Sequence, residues 1–313
     1  MVNLVPDTDG PSAFILLSNA TKTASAKVYL FGAHIVSFVH NGNEKLWMSS
    51  ISKMDGSAAI RGGIPIAWPQ FADEGDLKLH GFAREAMWTV LEDTENISLD
   101  SDVTPSSSVT LVLRDNEHTR SIWPYQFELQ YSIELLESNG IKATLKVTNR
   151  DEKAFTFSGC LHTYLQFKDT SNVTLHGFEG QNTLFVDKAD GRKEKTHHGG
   201  PIHIPTEADK SAKDAGLDHG FVDRIYFDAP GKYEFRALDT KKLIYSIVQS
   251  DSWTDTTIYN PWLGDKQGPK YPDFDDDGYT KTVCCEPTLS KRSQVILESG
   301  KSWEGYQEIY VSE

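Results

Sequence analysis

Cysteine is scarce in this 313-residue chain: Cys160, Cys284 and Cys285 are the only three. Two are adjacent and none stands in a CxxC spacing, which excludes a disulfide framework and argues against a zinc ribbon or a thioredoxin-like site. Long apolar runs are also missing. None reaches the roughly 18 residues that a membrane span needs. The N-terminal Met1-Val2-Asn3-Leu4-Val5-Pro6-Asp7 lacks the basic stretch and apolar core of a secretory leader. A cytoplasmic protein with no membrane contact is expected. Positive charge is in short supply too, with 31 lysines and arginines against 45 acidic residues and a net charge of −14. Such a surface repels nucleic acid, so none is expected as a partner. An anionic small molecule would have to be held locally, by a few arginines acting within a Debye length of about 8 Å.

Helical periodicity is the last absence, and strand periodicity fills its place. Val109, Leu111 and Leu113 form one alternating set, as do Phe127, Leu129, Tyr131, Ile133 and Leu135. Ile141, Ala143, Leu145 and Val147 form a third, joined to the second through Glu137-Ser138-Asn139-Gly140. Three consecutive period-two segments, each with one apolar face, predict an antiparallel sheet. Further strands are expected around Ala13–Leu17, Ala26–Leu30 and Phe31–Val39, the last closed by the hairpin pair Asn41-Gly42. Others are expected at Met87–Leu91, Tyr233–Phe235, Leu243–Val248, Gln294–Leu297 and Ile309–Val311. Residues 168–220 read as loop-rich, with turns at 168–172 and 187–192. His197, His198 and His203 read there as solvated loop residues, because no cysteine or carboxylate stands at a recognised metal spacing. No repeat, low-complexity tract or linker divides the chain, so a single all-β domain across 1–313 is expected.

Five stretches carry candidate chemistry. Arg61-Gly62-Gly63-Ile64-Pro65-Ile66-Ala67-Trp68-Pro69-Gln70-Phe71 and His80-Gly81-Phe82-Ala83-Arg84 bring two guanidiniums and an imidazole to a stretch that is flexible, then stiff. Two arginines suit phosphate or carboxylate through planar, two-pronged contacts, although an ordinary loop with surface arginines would read the same way. Phe155–Leu165 continues the strand pattern, but its second face carries Thr156, Ser158, Cys160, His162 and Tyr164. Small residues leading to an imidazole and a phenol suggest the wall of a polar pocket. Asp223 lies between apolar residues in Val222-Asp223-Arg224-Ile225-Tyr226, where it could meet a ligand or form a strand-edge ion pair. Glu286 follows Val283-Cys284-Cys285, a setting that would desolvate it and raise its pKa toward that of a working base. The acidic run Asp273–Gly278 fails as a calcium loop, because Cys284 stands where a bidentate glutamate is required.

Arg61-Gly62-Gly63-Ile64-Pro65, His80-Gly81-Phe82-Ala83-Arg84, His162, Val222-Asp223-Arg224-Ile225-Tyr226 and Cys285-Glu286-Pro287 together resemble the glucose-6-phosphate 1-epimerase (hexose-6-phosphate mutarotase) family of the aldose 1-epimerase superfamily. The resemblance implies a galactose-mutarotase-like antiparallel β-sandwich with no cofactor and no metal. It further implies a small-molecule sugar phosphate as partner, and we expect a monomer. Glu286 would be the base and His162 the acid, with His80 polarising the ring. Asp223 would hold a hydroxyl, and Arg61 and Arg84 the 6-phosphate. A free-hexose mutarotase and a non-catalytic carbohydrate-binding protein are the alternatives. In one departure, Leu79 precedes His80 where the family often has glutamine.

Overall fold

A computed structural model describes residues 2–91, 97–98, 106–204, 222–261 and 271–312. The three alternating segments become the strands Ser108–Arg114, Phe127–Leu136 and Gly140–Asn149. Their register sets Leu129 against Val147 and Leu113, Tyr131 against Leu145 and Leu111, and Ile133 against Ala143 and Val109. Apolar residues thus meet apolar residues across both ladders, and a slip of one position would turn every one of them to the wrong face. These strands belong to a nine-stranded sheet that also takes in Ser302–Val311, Leu243–Gln249 and Lys232–Ala237.

A second sheet, of eight strands, is centred on Asp255–Asn260 and Thr282–Leu289. Here alternation sorts chemistry from packing. Val222, Ile258, Val283, Cys285 and Leu289 join the main core with Leu129 and Leu145 of the first sheet, whereas Asp223, Tyr259, Cys284 and Glu286 do not. One face therefore packs inward and the other carries polar groups, as period-two geometry requires. A six-stranded N-terminal sheet adds Ile15, Leu17, Val28 and Phe38 to the same core. Its Asn41-Gly42 turn has both residues at positive φ (48° and 70°), the hairpin geometry that this pair favours. The ladders among the described residues are antiparallel, with one exception in Val2–Val5 with Ile97–Ser98, which is parallel. Among the described residues the one α-helix is Glu117–Ile122, capped by Asn116 and Thr119.

Two expectations change. The strand expected through Phe155–Leu165 is broken into Phe155–Phe157, Gly159–Leu161 and Tyr164–Gln166. The first piece pairs with Val295–Leu297, and the other two pair with Thr282–Leu289. Gly159 lets Ile66–Ala67 come close, since a Cβ there would lie 2.5 Å from the Ala67 carbonyl oxygen. The supposed loop of 168–220 holds Val173–His176, Thr183–Asp187, Lys193–His197 and Ile202–His203, while residues 205–220 lie outside the described residues. Lys193–His197 is an edge strand of charged and polar residues, so it has no apolar alternation to betray it. His197 contacts the Gly200 carbonyl and His198 contacts Asn182, while His203 is exposed.

Candidate active site

The Arg61–Phe71 stretch folds under the N-terminal sheet. His34, fully buried, holds the Gly62 carbonyl at 2.7 Å. Gly63 has φ +63°, and a Cβ there would fall 2.2 Å from the Ile35 carbonyl oxygen, so only glycine fits. Further on, His80 takes φ +65°. Its Nδ1 accepts from the Ala72 amide at 3.2 Å, which leaves the ring proton on Nε2. The His80 ring then stands 5.4 Å from that of His162, edge to face.

Glu286 occupies the middle of Thr282–Leu289 and is 1% exposed. Its Oε1 lies 3.1 Å from His162 Nδ1, and its Oε2 accepts from the Cys160 thiol at 3.4 Å. The Oε1–Nδ1 contact misses hydrogen-bond geometry, so both atoms keep capacity for a ligand. His162 stacks on Tyr164, with ring planes 6° apart and centroids at 4.5 Å. Burial pushes the Glu286 carboxyl well above its ordinary range, and nearby Asp223 adds to the effect. Burial, together with Arg61 and Arg84, pushes His162 well below its own. His80 is lowered in the same way, by burial first and then by Arg84. Cys160, His162 and Tyr164 therefore do line up on one face, as their spacing suggested. Thr156 is exposed instead, and Ser158 turns to accept from the Phe71 amide.

A cavity of about 270 Å³ opens over this pair. Five of the six candidate residues line it: Arg61, His80, His162, Asp223 and Glu286. Arg84 does not. It is buried behind the wall, with Nη2 donating to the Leu79 carbonyl at 2.8 Å. Burial, and then the field of Arg61, lower its pKa. Leu79 itself reaches the lining. Arg61 is heavily engaged, with Nε and Nη2 on Asp273 at 3.3 and 3.2 Å and Nη1 on the Tyr164 hydroxyl at 3.3 Å. Burial pulls its pKa down, but Tyr164 and Asp273 outweigh that and raise it.

Two cations that the sequence reading missed also line the cavity, Lys188 and Arg192. Both come from the turn between Thr183–Asp187 and Lys193–His197. Lys188 Nζ lies 3.2 Å from Asp223 Oδ2, and Arg192 pairs with Asp73. The turn at 187–192 was legible as a turn, and its two basic residues were the available signal. Two of the lining residues, His162 and Glu286, and the buried Cys284 bring their ligating atoms within 4.8 Å of one another, a set that could hold a metal ion.

Residues 14–310 match the aldose 1-epimerase family. The chain belongs to the aldose 1-epimerase family. A protein of Cenchrus ciliaris, provisionally named a glucose-6-phosphate 1-epimerase, is 30% identical over 287 residues, covering 91% of this chain and 80% of its own. One of Escherichia coli K12 with the same provisional name is 27% identical, over 87% of this chain and 82% of its own. Among solved structures, a Salmonella typhimurium protein provisionally described as a mutarotase superposes with a TM-score of 0.76 at 23% identity, covering 99% of this chain and 91% of that one. The galactose 1-epimerase of Lactobacillus acidophilus gives 0.69 at 14% identity, over 100% and 99% of the two chains. These likenesses carry the galactose-mutarotase-like sandwich, and membership of the family carries aldose 1-epimerase activity.

Proposed function

We propose that the protein interconverts the α and β anomers of a hexose 6-phosphate, glucose 6-phosphate in the first instance. The observation that carries this reading is the 3.1 Å approach of Glu286 Oε1 to His162 Nδ1 in a cavity that three cations also line. Mutarotation needs a proton taken from the C1 hydroxyl and one given to the ring oxygen, after which the opened chain rotates and recloses. Glu286 takes the first proton and His162 gives the second. His80, with its proton on Nε2, donates toward the sugar ring, and Asp223 accepts from a hydroxyl. The phosphate falls to Arg61 with Lys188 and Arg192. Arg84, behind the wall, acts on the site through its field rather than by contact.

A free-hexose mutarotase is the second reading, and one observation favours it. Arg61, Lys188 and Arg192 each already face a carboxylate, so a phosphate must compete with Asp273, Asp223 and Asp73. Anomer-exchange NMR with glucose 6-phosphate beside glucose and galactose separates the two. The expected result is faster exchange for the phosphate ester. Arg61→Ala and Lys188→Ala should each raise the KM for it roughly 10-fold or more, as loss of a charge-assisted contact of about 1.5–3 kcal/mol implies. Equal losses for ester and free sugar would give the site to the free hexose.

A further inference from the structure

We infer that His162, Cys284 and Glu286 form a zinc site, and that an ion held there blocks anomer exchange. The donor set is imidazole, thiol and carboxylate, the three ligand types that zinc takes. Cys284 and Glu286 stand two apart on Thr282–Leu289 and so share a face, and Tyr164 pairs directly with Cys284. That register brings His162 across to both. All three residues are buried, and their ligating atoms lie within 4.8 Å of one another.

Two of the three ligating atoms keep lone pairs that no described group engages. His162 Nδ1 and Glu286 Oε1 are buried, face each other at 3.1 Å and make no hydrogen bond among the described residues. Nitrogen and oxygen on one tetrahedral zinc, at bond lengths of about 2.0–2.2 Å, sit roughly 3.3–3.5 Å apart. That is close to the separation already present. A zinc–sulfur bond of about 2.3 Å puts the sulfur roughly 3.6 Å from the other two ligand atoms, which already lie within 4.8 Å of it, so the Cys284 side chain need close in by about 1 Å at most. The fourth position would face the cavity, since His162 and Glu286 line it. Magnesium and calcium prefer oxygen donors, and this trio offers only one carboxylate.

Charge decides whether a cation is tolerated beside Arg61, Arg84 and Lys188. On binding, the Cys284 thiol gives its proton to solvent, and Glu286 binds as carboxylate. The thiolate and the carboxylate together offset the two positive charges of the ion, so the ion with its ligands is neutral, and any proton that Glu286 carried also leaves to solvent. The bound ion occupies the imidazole lone pair and the carboxylate together. Only the blocking half of this inference rests on the proposed acid–base roles, because zinc binding itself does not need them.

Cys285 supplies an internal control. It neighbours Cys284 but points into the main core, on the opposite face of the strand. Zinc uptake is measured by competition with a chromophoric chelator for the wild-type chain, Cys284→Ala, Cys284→Ser and Cys285→Ala. Wild type and Cys285→Ala should take up one ion per chain. Both Cys284 variants should bind more than about 100-fold more weakly, beyond the 10–100-fold that changes outside the ligand set produce. Cobalt on the wild-type chain should give a thiolate-to-metal charge-transfer band, which decides the matter even if the variants fold poorly. Zinc should suppress anomer exchange in the wild type, a chelator should restore it, and Cys284→Ala should resist. Uptake retained in both Cys284 variants, or lost equally in Cys285→Ala, or no cobalt–thiolate band, would overturn the site. Uptake through Cys284 that leaves exchange untouched would overturn the block. A metal-free chain that binds zinc yet exchanges no anomers would instead sink the functional reading and leave the zinc site standing.

Discussion

Glu286 and His162 share one proton problem. Burial opposes charge on both, raising the Glu286 carboxyl and lowering the His162 imidazole, so each is biased toward its neutral form. A neutral pair is what the proposed roles call for at the open-chain stage of mutarotation, when Glu286 would have taken the C1 proton and His162 would have given its own. Moving to carboxylate and imidazolium transfers one proton within the pair and changes its net charge by nothing. On the proposed roles, hydrogen bonds from a bound sugar to both groups would supply the reason to move. Glu286→Gln keeps the shape and removes the proposed base, so turnover should fall by about 10²–10⁴-fold with KM little changed. Steady-state anomer exchange by NMR checks this, and a variant as fast as wild type would take Glu286 out of the role.

At the scale of elements, two tight approaches build the site. The Gly62-Gly63 turn is pinned between the His34 ring and the Ile35 carbonyl, and it delivers Arg61 to the cavity on one side and Ile66–Ala67 to the eight-stranded sheet on the other. Gly63→Ala sets a Cβ against a backbone oxygen at positive φ. We expect a loss of about 1–3 kcal/mol of stability, read as a lower urea midpoint at unchanged slope. An unshifted midpoint would mean that the turn relaxes without cost. The Thr183–Asp187 and Lys193–His197 hairpin is the other delivery device. Its turn brings Lys188 to Asp223 and Arg192 to Asp73, residues far apart along the chain.

For the whole molecule, the buried histidines tie stability to pH. Burial lowers His34 from 6.5 to about 4, with Arg84 adding to the effect and the Gly62 carbonyl opposing it. The unfolded chain therefore takes up this proton first. The His34 contribution is complete above the unfolded pKa near 6.5 and is lost as pH falls toward 4. Over that window it amounts to about 3 kcal/mol. His80 and His162 act in the same direction. His34→Gln should flatten the fall in urea-unfolding free energy between pH 7 and pH 4.5 without abolishing it. A variant with the wild-type pH slope would show that His34 titrates normally. The core that these histidines adjoin draws on all three large sheets, so a proton forced into it weakens the sandwich as a unit.

How much of this could be read from the sequence follows from how local each feature is. A period of two is a property of neighbouring residues, so the all-β class, the Asn41-Gly42 hairpin and the shared face of Cys160, His162 and Tyr164 were legible. The raised pKa of Glu286 followed from its apolar surroundings in the chain, for the same reason. Which cations face the cavity was not legible. Arg84 lies within five residues of His80 yet turns behind the wall, while Arg61 meets an aspartate 212 residues away. The strand Lys193–His197 that frames Lys188 and Arg192 carries no apolar stripe to announce it. Charge placement depends on contacts between distant segments, and only the packed sheets bring those segments together.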